Sequence, residues 1–151
     1  MIGLLQRVQN ASVLVDGSLV SEIGRGILVF IGVERGDGRA EAERLLLKLL
    51  GYRVFPDQDG KMNRSLADIN GGLLLVPQFT LAADTKKGMR PGFSTAASPD
   101  SGRSLFAELV NLARQRYSSV DSGIFGEDMQ VSLTNDGPVT FWLQVSPRKL
   151  K

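Results

Sequence analysis

Apolar and polar positions divide this chain into segments with two different periods. Residues 2–8 and 12–20 are rich in Val, Leu and Ile, the composition of β-strands. Between Val15 and Ser18 stands Asp16-Gly17, and the tolerance of both residues for positive φ suits a two-residue hairpin turn. These runs predict a β-meander at the start of the fold. Ile27-Leu28-Val29-Phe30-Ile31-Gly32-Val33 is apolar without alternation, as expected of a strand covered on both faces. It is the predicted centre of the sheet. Residues 72–79, 129–133 and 139–145 complete the predicted strands.

Twice the period becomes helical. Over residues 38–50, Leu45, Leu46, Leu49 and Leu50 share one face, Glu41 and Glu43 sit early, and Gly51 follows as a stop. Later, Ser98 supplies an N-cap and Pro99 the first helical position, and Leu105, Phe106, Leu109, Val110 and Ala113 form the apolar stripe that follows. Two helices against so many strands predict an α/β fold. Its expected form is a set of mostly antiparallel or mixed β-sheet layers, barrel-like, with two main packed helices. Residues 82–97, which include Gly88, Pro91, Gly92, Ser94 and Thr95, form the longest irregular stretch. A loop of that length in a small domain is usually functional or mobile.

Composition narrows the classes. A chain of 151 residues, 42% hydrophobic and 23% charged, fits a single domain over residues 1–151 and can bury roughly 70% of its unfolded surface. No run approaches the roughly 20 apolar residues that span a bilayer, and Met1-Ile2-Gly3-Leu4-Leu5-Gln6-Arg7-Val8 lacks the pattern of an export signal. A cytoplasmic protein without membrane contact is expected. The two sequons, at Asn10 and Asn63, carry no weight without export. The formal charge of +2 is mildly basic and compatible with a nucleic-acid partner. Lys86, Lys87 and Arg90 cluster in the irregular stretch, and Arg148, Lys149 and Lys151 cluster at the end; each reads either as a solvated surface or as a phosphate contact.

Residue requirements remove most enzyme templates. The chain has no Cys and no His, so disulfides, thiolate chemistry and Ser-His-Asp or Cys-His arrangements are all excluded. A metal site would have to be made of carboxylates, and no spacing of Asp and Glu resembles one. The 17 glycines form neither a phosphate loop nor a dinucleotide fingerprint. Catalysis by position, backbone donors and hydroxyls remains. Thr80 is the most suggestive hydroxyl: it follows a strand ending at Pro77, whose missing N–H interrupts a ladder and frees neighbouring backbone groups. Gln78 adds an amide. The plainer reading makes Phe79 and Thr80 ordinary strand residues, and no adjacent base marks Thr80 as an activated nucleophile. Gly137-Pro138, preceded by Asn135-Asp136, reads as a hairpin turn with a trans bond on base rates alone.

Four segments taken in order resemble the D-aminoacyl-tRNA deacylase family: Pro77-Gln78-Phe79-Thr80-Leu81, Gly88-Met89-Arg90-Pro91, Phe125-Gly126-Glu127-Asp128-Met129 and Thr134-Asn135-Asp136-Gly137-Pro138-Val139-Thr140-Phe141. The resemblance covers nearly the whole chain. It implies hydrolysis of the ester between a D-amino acid, or achiral glycine, and the terminal ribose of tRNA, with no metal or cofactor. It further implies a homodimer with active sites at the interface. In the family a Ser-Gln-Phe-Thr-Leu motif lines the pocket of one subunit, and a Gly-cisPro motif from the other enters it and rejects L-amino acids.

Those positions correspond here to residues 77–81 and to Gly137-Pro138. By the same resemblance Phe79 and Thr80 border the site, with backbone N–H groups there holding the substrate carbonyl or the terminal adenosine, Gln78 helps shape it, Phe125 and Met129 face the adenine or the pocket wall, and Arg7 helps fix the Gly-Pro element. On their own, Phe125 and Met129 read as core. The neighbouring ribose 2′-hydroxyl is implied to assist, which agrees with the absent histidine. Pro77 departs from the family serine and removes both a hydroxyl and a backbone donor.

A related deacylase group, which clears L-alanine from a threonine tRNA, has Pro-Gln-Ala-Thr-Leu and a trans Gly-Pro. Phe79 favours the D-specific group, Pro77 the relative. The alternatives are therefore that relative and a non-catalytic tRNA-binding module.

Overall fold

A computed structural model of the chain describes residues 1–149, so Lys151 of the terminal basic cluster lies outside the described residues. Strand β1 runs without interruption from Ile2–Val15. The predicted hairpin follows, with Asp16 at φ 48° and Gly17 at φ 77°, and leads into β2, Ser18–Ile23, and then β3, Gly26–Gly32. The arrangement is not a meander. β2 pairs with the far half of β1, from Ala11 to Val15, and β3 with its near half, from Ile2 to Val8. The reason is length: at 14 residues β1 is twice as long as β3, and one edge accommodates two short strands end to end.

The chain then leaves the sheet through α1 (Arg39–Gly51), the small ribbon of β4 (Phe55–Pro56) and β5 (Met62–Arg64), and a one-turn helix α2 (Leu66–Ile69). It returns as β6 (Gly72–Pro77), parallel to β3. Helix α3 (Pro99–Arg116) makes the second crossover to β7 (Val120–Ser122), parallel to β6. Such parallel pairings need crossover connections of this kind. Strand β8, Gln130–Gln144, takes the remaining edge of β1 along most of its length. Residues 129–133 and 139–145, expected as two strands about a turn, are therefore parts of one. Asn135 holds that strand together where the ladder shifts, donating to the carbonyls of Arg7 (2.9 Å) and Val139 (3.0 Å). The ribbon, α2 and β7 were not expected from the sequence.

The sheet order is β2-β1-β3-β6-β7 with β8 on β1, a mixed sheet that curls until its ends approach. There the Glu22 N–H of β2 donates to the Asp121 carboxylate of β7 at 3.2 Å, and the barrel-like expectation holds. Val8, Val13, Leu28, Leu74 and Val76 fill the inside of the curl. Ile27, Val29, Ile31, Leu73 and Leu75 point the other way, against Leu45, Leu46 and Leu49 of α1 and Leu105, Phe106 and Leu109 of α3. Both faces of β3 and β6 are thus covered, as their unbroken apolar runs require.

β3 and β6 begin side by side at Gly26 and Gly72. A Cβ on Gly26 would lie 2.0 Å from the Gly72 carbonyl oxygen, and backbone cannot yield there as a side-chain tip can. Gly26→Ala is expected to destabilise the fold by at least about 3 kcal/mol, the upper end of overpacking costs; the midpoint of urea unfolding followed by circular dichroism checks this.

Candidate active site

The site begins where β6 ends. The Gln78 N–H donates to the Ile31 carbonyl at 2.8 Å, toward β3. By the alternation of a strand, Pro77 then directs its donorless nitrogen toward β7. The last ladder bond on that side runs from the Gly123 N–H to the Leu75 carbonyl at 2.8 Å, so the donorless Pro77 stands where the pairing with β7 stops. After Gln78 the backbone turns into a 3-10 helix, Phe79–Ala82. Phe79 and Thr80 are therefore not strand residues. Their N–H groups precede the first bond of the turn, Leu81 N–H to Gln78 carbonyl at 3.2 Å, and meet no acceptor among the described residues. Free donors of this kind are inherent to the start of a helical turn. The Gln78 side-chain amide donates to the Thr80 hydroxyl oxygen.

Phe79 is 57% exposed, unusual for a phenylalanine, and its ring lies 5.1 Å from that of Phe93. Two hollows adjoin it. One, of about 230 Å³, lies between the sheet and the start of α3 and is lined by Ile31, Pro77, Phe79, Ser98, Phe106 and Phe125. The other, of about 290 Å³, lies on the far side of Pro77 and Phe125, against Gln78, Glu127, Met129 and Val131. The structure thus brings the consecutive residues Pro77, Gln78 and Phe79 together with Phe125 and Met129, which are far away in sequence. Thr80 lines neither hollow and sits beside them on the 3-10 turn.

Glycines seat the walls. A Cβ on Gly123 would meet the Met129 sulfur at 2.8 Å and Pro77 Cδ at 3.3 Å. On Gly102 of α3 it would touch the Phe125 ring at 3.4 Å, while the Arg103 guanidinium covers that ring at 5.0 Å. Helix α3 is itself fixed at this end by Ser98, whose hydroxyl oxygen accepts from the Ser101 N–H at 3.3 Å, with Pro99 next. Gly102, Gly123, Arg103 and Phe93 were not singled out from the sequence, and Glu127 stood in a segment of the resemblance without a role. Only the position of Phe93 in the long irregular stretch offered a signal.

Electrostatically the two hollows are quiet, with Glu127 the one ionisable residue of their linings. Charge gathers instead beside them, where Glu34 and Asp37 line a hollow that also reaches Phe79 and Phe93. The Met1 amine donates to Asp37 at 2.8 Å and to Glu34 at 3.0 Å. Burial pushes the Asp37 carboxyl above its usual range, against the opposing pull of that ammonium. Among the described residues no three His, Cys, Asp or Glu side chains gather as a metal site would require.

Gly137 and Pro138 stand apart from these hollows, exposed on β8, and the bond between them is cis where base rates predict trans. Arg7 holds the segment: its Nε donates to the Asp136 carbonyl at 2.9 Å and its Nη1 to the Val54 carbonyl at 2.7 Å. The hairpin reading of this segment gives way to a strand that continues through it.

A curled mixed sheet backed by two long helices, with a pocket of main-chain donors and aromatic walls, defines a recognisable class of α/β protein. A solved structure named "c-Myc DNA Unwinding Element Binding Protein" shares this fold with a TM-score of 0.93 and 37% identity, covering 97% of this chain and 100% of that one. Another, of a probable eukaryotic D-amino acid tRNA deacylase, matches with a TM-score of 0.81 at 20% identity, a likeness of fold alone. The model of the D-Tyr-tRNA(Tyr) deacylase family matches residues 4–144, and the chain belongs to that family of hydrolases. A D-aminoacyl-tRNA deacylase of Alkalilimnicola ehrlichii is 61% identical over 97% of this chain and 98% of its own length. One of Pseudomonas putida is 60% identical over 96% and 100%.

The side chain of Arg7 is only 12% exposed. Arg7→Met removes both donors and leaves the Asp136 and Val54 carbonyls short of partners. A loss of about 2 kcal/mol in unfolding free energy is expected, and Arg7→Lys is expected to restore only part of it because a single ammonium cannot span both carbonyls. Urea denaturation of the three proteins measures both.

Proposed function

We propose that this chain hydrolyses the ester of D-aminoacyl-tRNA, and of glycine carried by a non-cognate tRNA, releasing the free amino acid and tRNA. The observation that carries the reading is the pair of unpartnered N–H groups of Phe79 and Thr80 on the 3-10 turn beside an aromatic-walled pocket that Phe79 lines, in a chain of this family. Ester hydrolysis builds negative charge on the carbonyl oxygen, and preorganised backbone donors stabilise that charge by about 2.7–4 kcal/mol each. Water adds to the carbonyl carbon, the bond to the ribose oxygen breaks, and the released ribose oxygen takes up a proton. The terminal ribose 2′-hydroxyl, next to the reacting bond, can relay that proton without a protein base. No metal or cofactor is assigned a role.

In this reading Phe125 and Met129 wall the adenine end, Gln78 orients the Thr80 hydroxyl, and Pro77 shapes the floor shared by the two hollows. Gly137 and Pro138 reject L-amino acids from a second copy of the chain, with Arg7 holding them in place. Support for a homodimer with interface sites is that both residues are exposed and line neither hollow of their own chain. Trp142 on the same strand is 53% exposed as well. Residues 1–151 act as one deacylase domain, and a cytoplasmic location fits a substrate made there. No helix is long and apolar enough to cross a membrane among the described residues.

Purified protein incubated with D-tyrosyl-tRNA, L-tyrosyl-tRNA and L-alanyl-tRNA tests the reading. Loss of the D-ester alone is expected. Cleavage of L-alanyl-tRNA would favour the L-alanine-clearing relative, and tRNA binding without any cleavage would leave a binding module.

Thr80→Ala removes a hydroxyl and keeps both backbone N–H groups. Its kcat on D-tyrosyl-tRNA is expected to fall no more than about tenfold, against about 100-fold or more for loss of an essential donor. Single-turnover kinetics separate the two.

A further inference from the structure

The irregular stretch after the 3-10 turn is organised. Asp84 and Gly92 exchange both backbone hydrogen bonds, at 2.7 and 3.0 Å. The carboxylate of Asp84 then accepts from the Lys86 N–H at 3.0 Å as the chain rounds the corner, and Gly88 takes a φ of 71°. The result is a short hairpin that projects from the site, with Met89 fully exposed at its tip. Its base is tied to the turn that carries Thr80. The Ala83 N–H donates to the Thr80 carbonyl at 3.1 Å, the Thr95 hydroxyl donates to the Ala82 carbonyl at 2.6 Å, and Phe93 rests on Phe79.

This hairpin carries Lys86, Lys87 and Arg90, all exposed. None belongs to an ion pair among the described residues. Residues 84–93 contain three of the 18 cations and one of the 16 carboxylates, so they hold the chain's whole surplus of two positive charges. Over the rest of the chain 15 cations and 15 carboxylates sum to zero. Concentrated, unpaired cations on an element fixed to a pocket attract a polyanion.

We propose that the 84–92 hairpin binds the phosphates of the unpaired nucleotides that precede the esterified adenosine. The assignment rests on the deacylase reading for its RNA and adds to it an element that grips the strand outside the pocket. Its chemistry differs from that of the pocket: the cations touch no reacting atom, and they discriminate an intact tRNA from the same ester on a bare nucleoside.

The test compares wild type with a K86A/K87A/R90A variant. Uncharged tRNA is titrated against each by fluorescence anisotropy over a series of salt concentrations, and hydrolysis of D-tyrosyl-tRNA and of D-tyrosyl-adenosine is followed in parallel. Three phosphate contacts to a single strand contribute about 2 to the slope of log affinity against log salt. The variant is expected to lose that slope, to bind uncharged tRNA at least tenfold more weakly at low salt, and to cleave D-tyrosyl-adenosine as wild type does. Unchanged slope and affinity would overturn the assignment, as would an equal loss on D-tyrosyl-adenosine, which would put the residues in the chemical step or in folding. If wild type cleaves neither ester yet the variant loses the salt slope, the hairpin stands as an RNA contact and the deacylase reading falls.

Discussion

The molecule is organised by the edges of β1. A strand has two edges, and each buried N–H and C=O along them needs a partner. Fourteen residues of β1 meet that demand with three strands: β2 and β3 in succession on one side and β8 on the other. Register then passes from β1 to β3, and from β3 to β6, whose last residue is Pro77. The pocket at the end of β6 and the Gly137-Pro138 segment on β8 are consequently fixed relative to one another through consecutive ladders, with no flexible loop between them.

That rigidity suits a site whose polar groups belong largely to the main chain. Backbone donors cannot be reoriented by a rotamer change, so their direction is only as good as the ladder that holds them. The 3-10 turn gains its place from Gln78 bonding to β3, from the close seat of Leu81 over Gly32, where a Cβ would come within 2.9 Å, and from the base of the 84–92 hairpin. Side chains contribute shape: aromatic rings on two flanks, a sulfur over Gly123 and a proline beneath both hollows.

The sequence made parts of this legible. The Asp16-Gly17 turn, the doubly covered β3, the leucine face of α1 and the Ser98-Pro99 cap of α3 follow from local rules, because each is fixed by neighbours within a few residues. What stayed hidden is non-local. Nothing near Ile2 says that β1 will take three partners, and nothing near Gly137 says that a strand will continue through it, since the Asn135 side chain that holds it bonds to Arg7, 128 residues away. The same holds for the site. Pro77, Gln78 and Thr80 announced themselves through a strand end, whereas Phe125 and Met129 read as core because their company of Gly102 and Gly123 is assembled only by packing. Resemblance, not periodicity, selected them.

A pocket built in this way also determines how it can be found. The commonest covalent probes of hydrolases capture a histidine-activated serine or a cysteine thiolate, and this chain has neither histidine nor cysteine. Amide N–H groups of Phe79 and Thr80 leave no adduct. On the proposed reading the stabilising groups are amides, so such reagents have no group to capture there, and the activity is followed with the substrate itself.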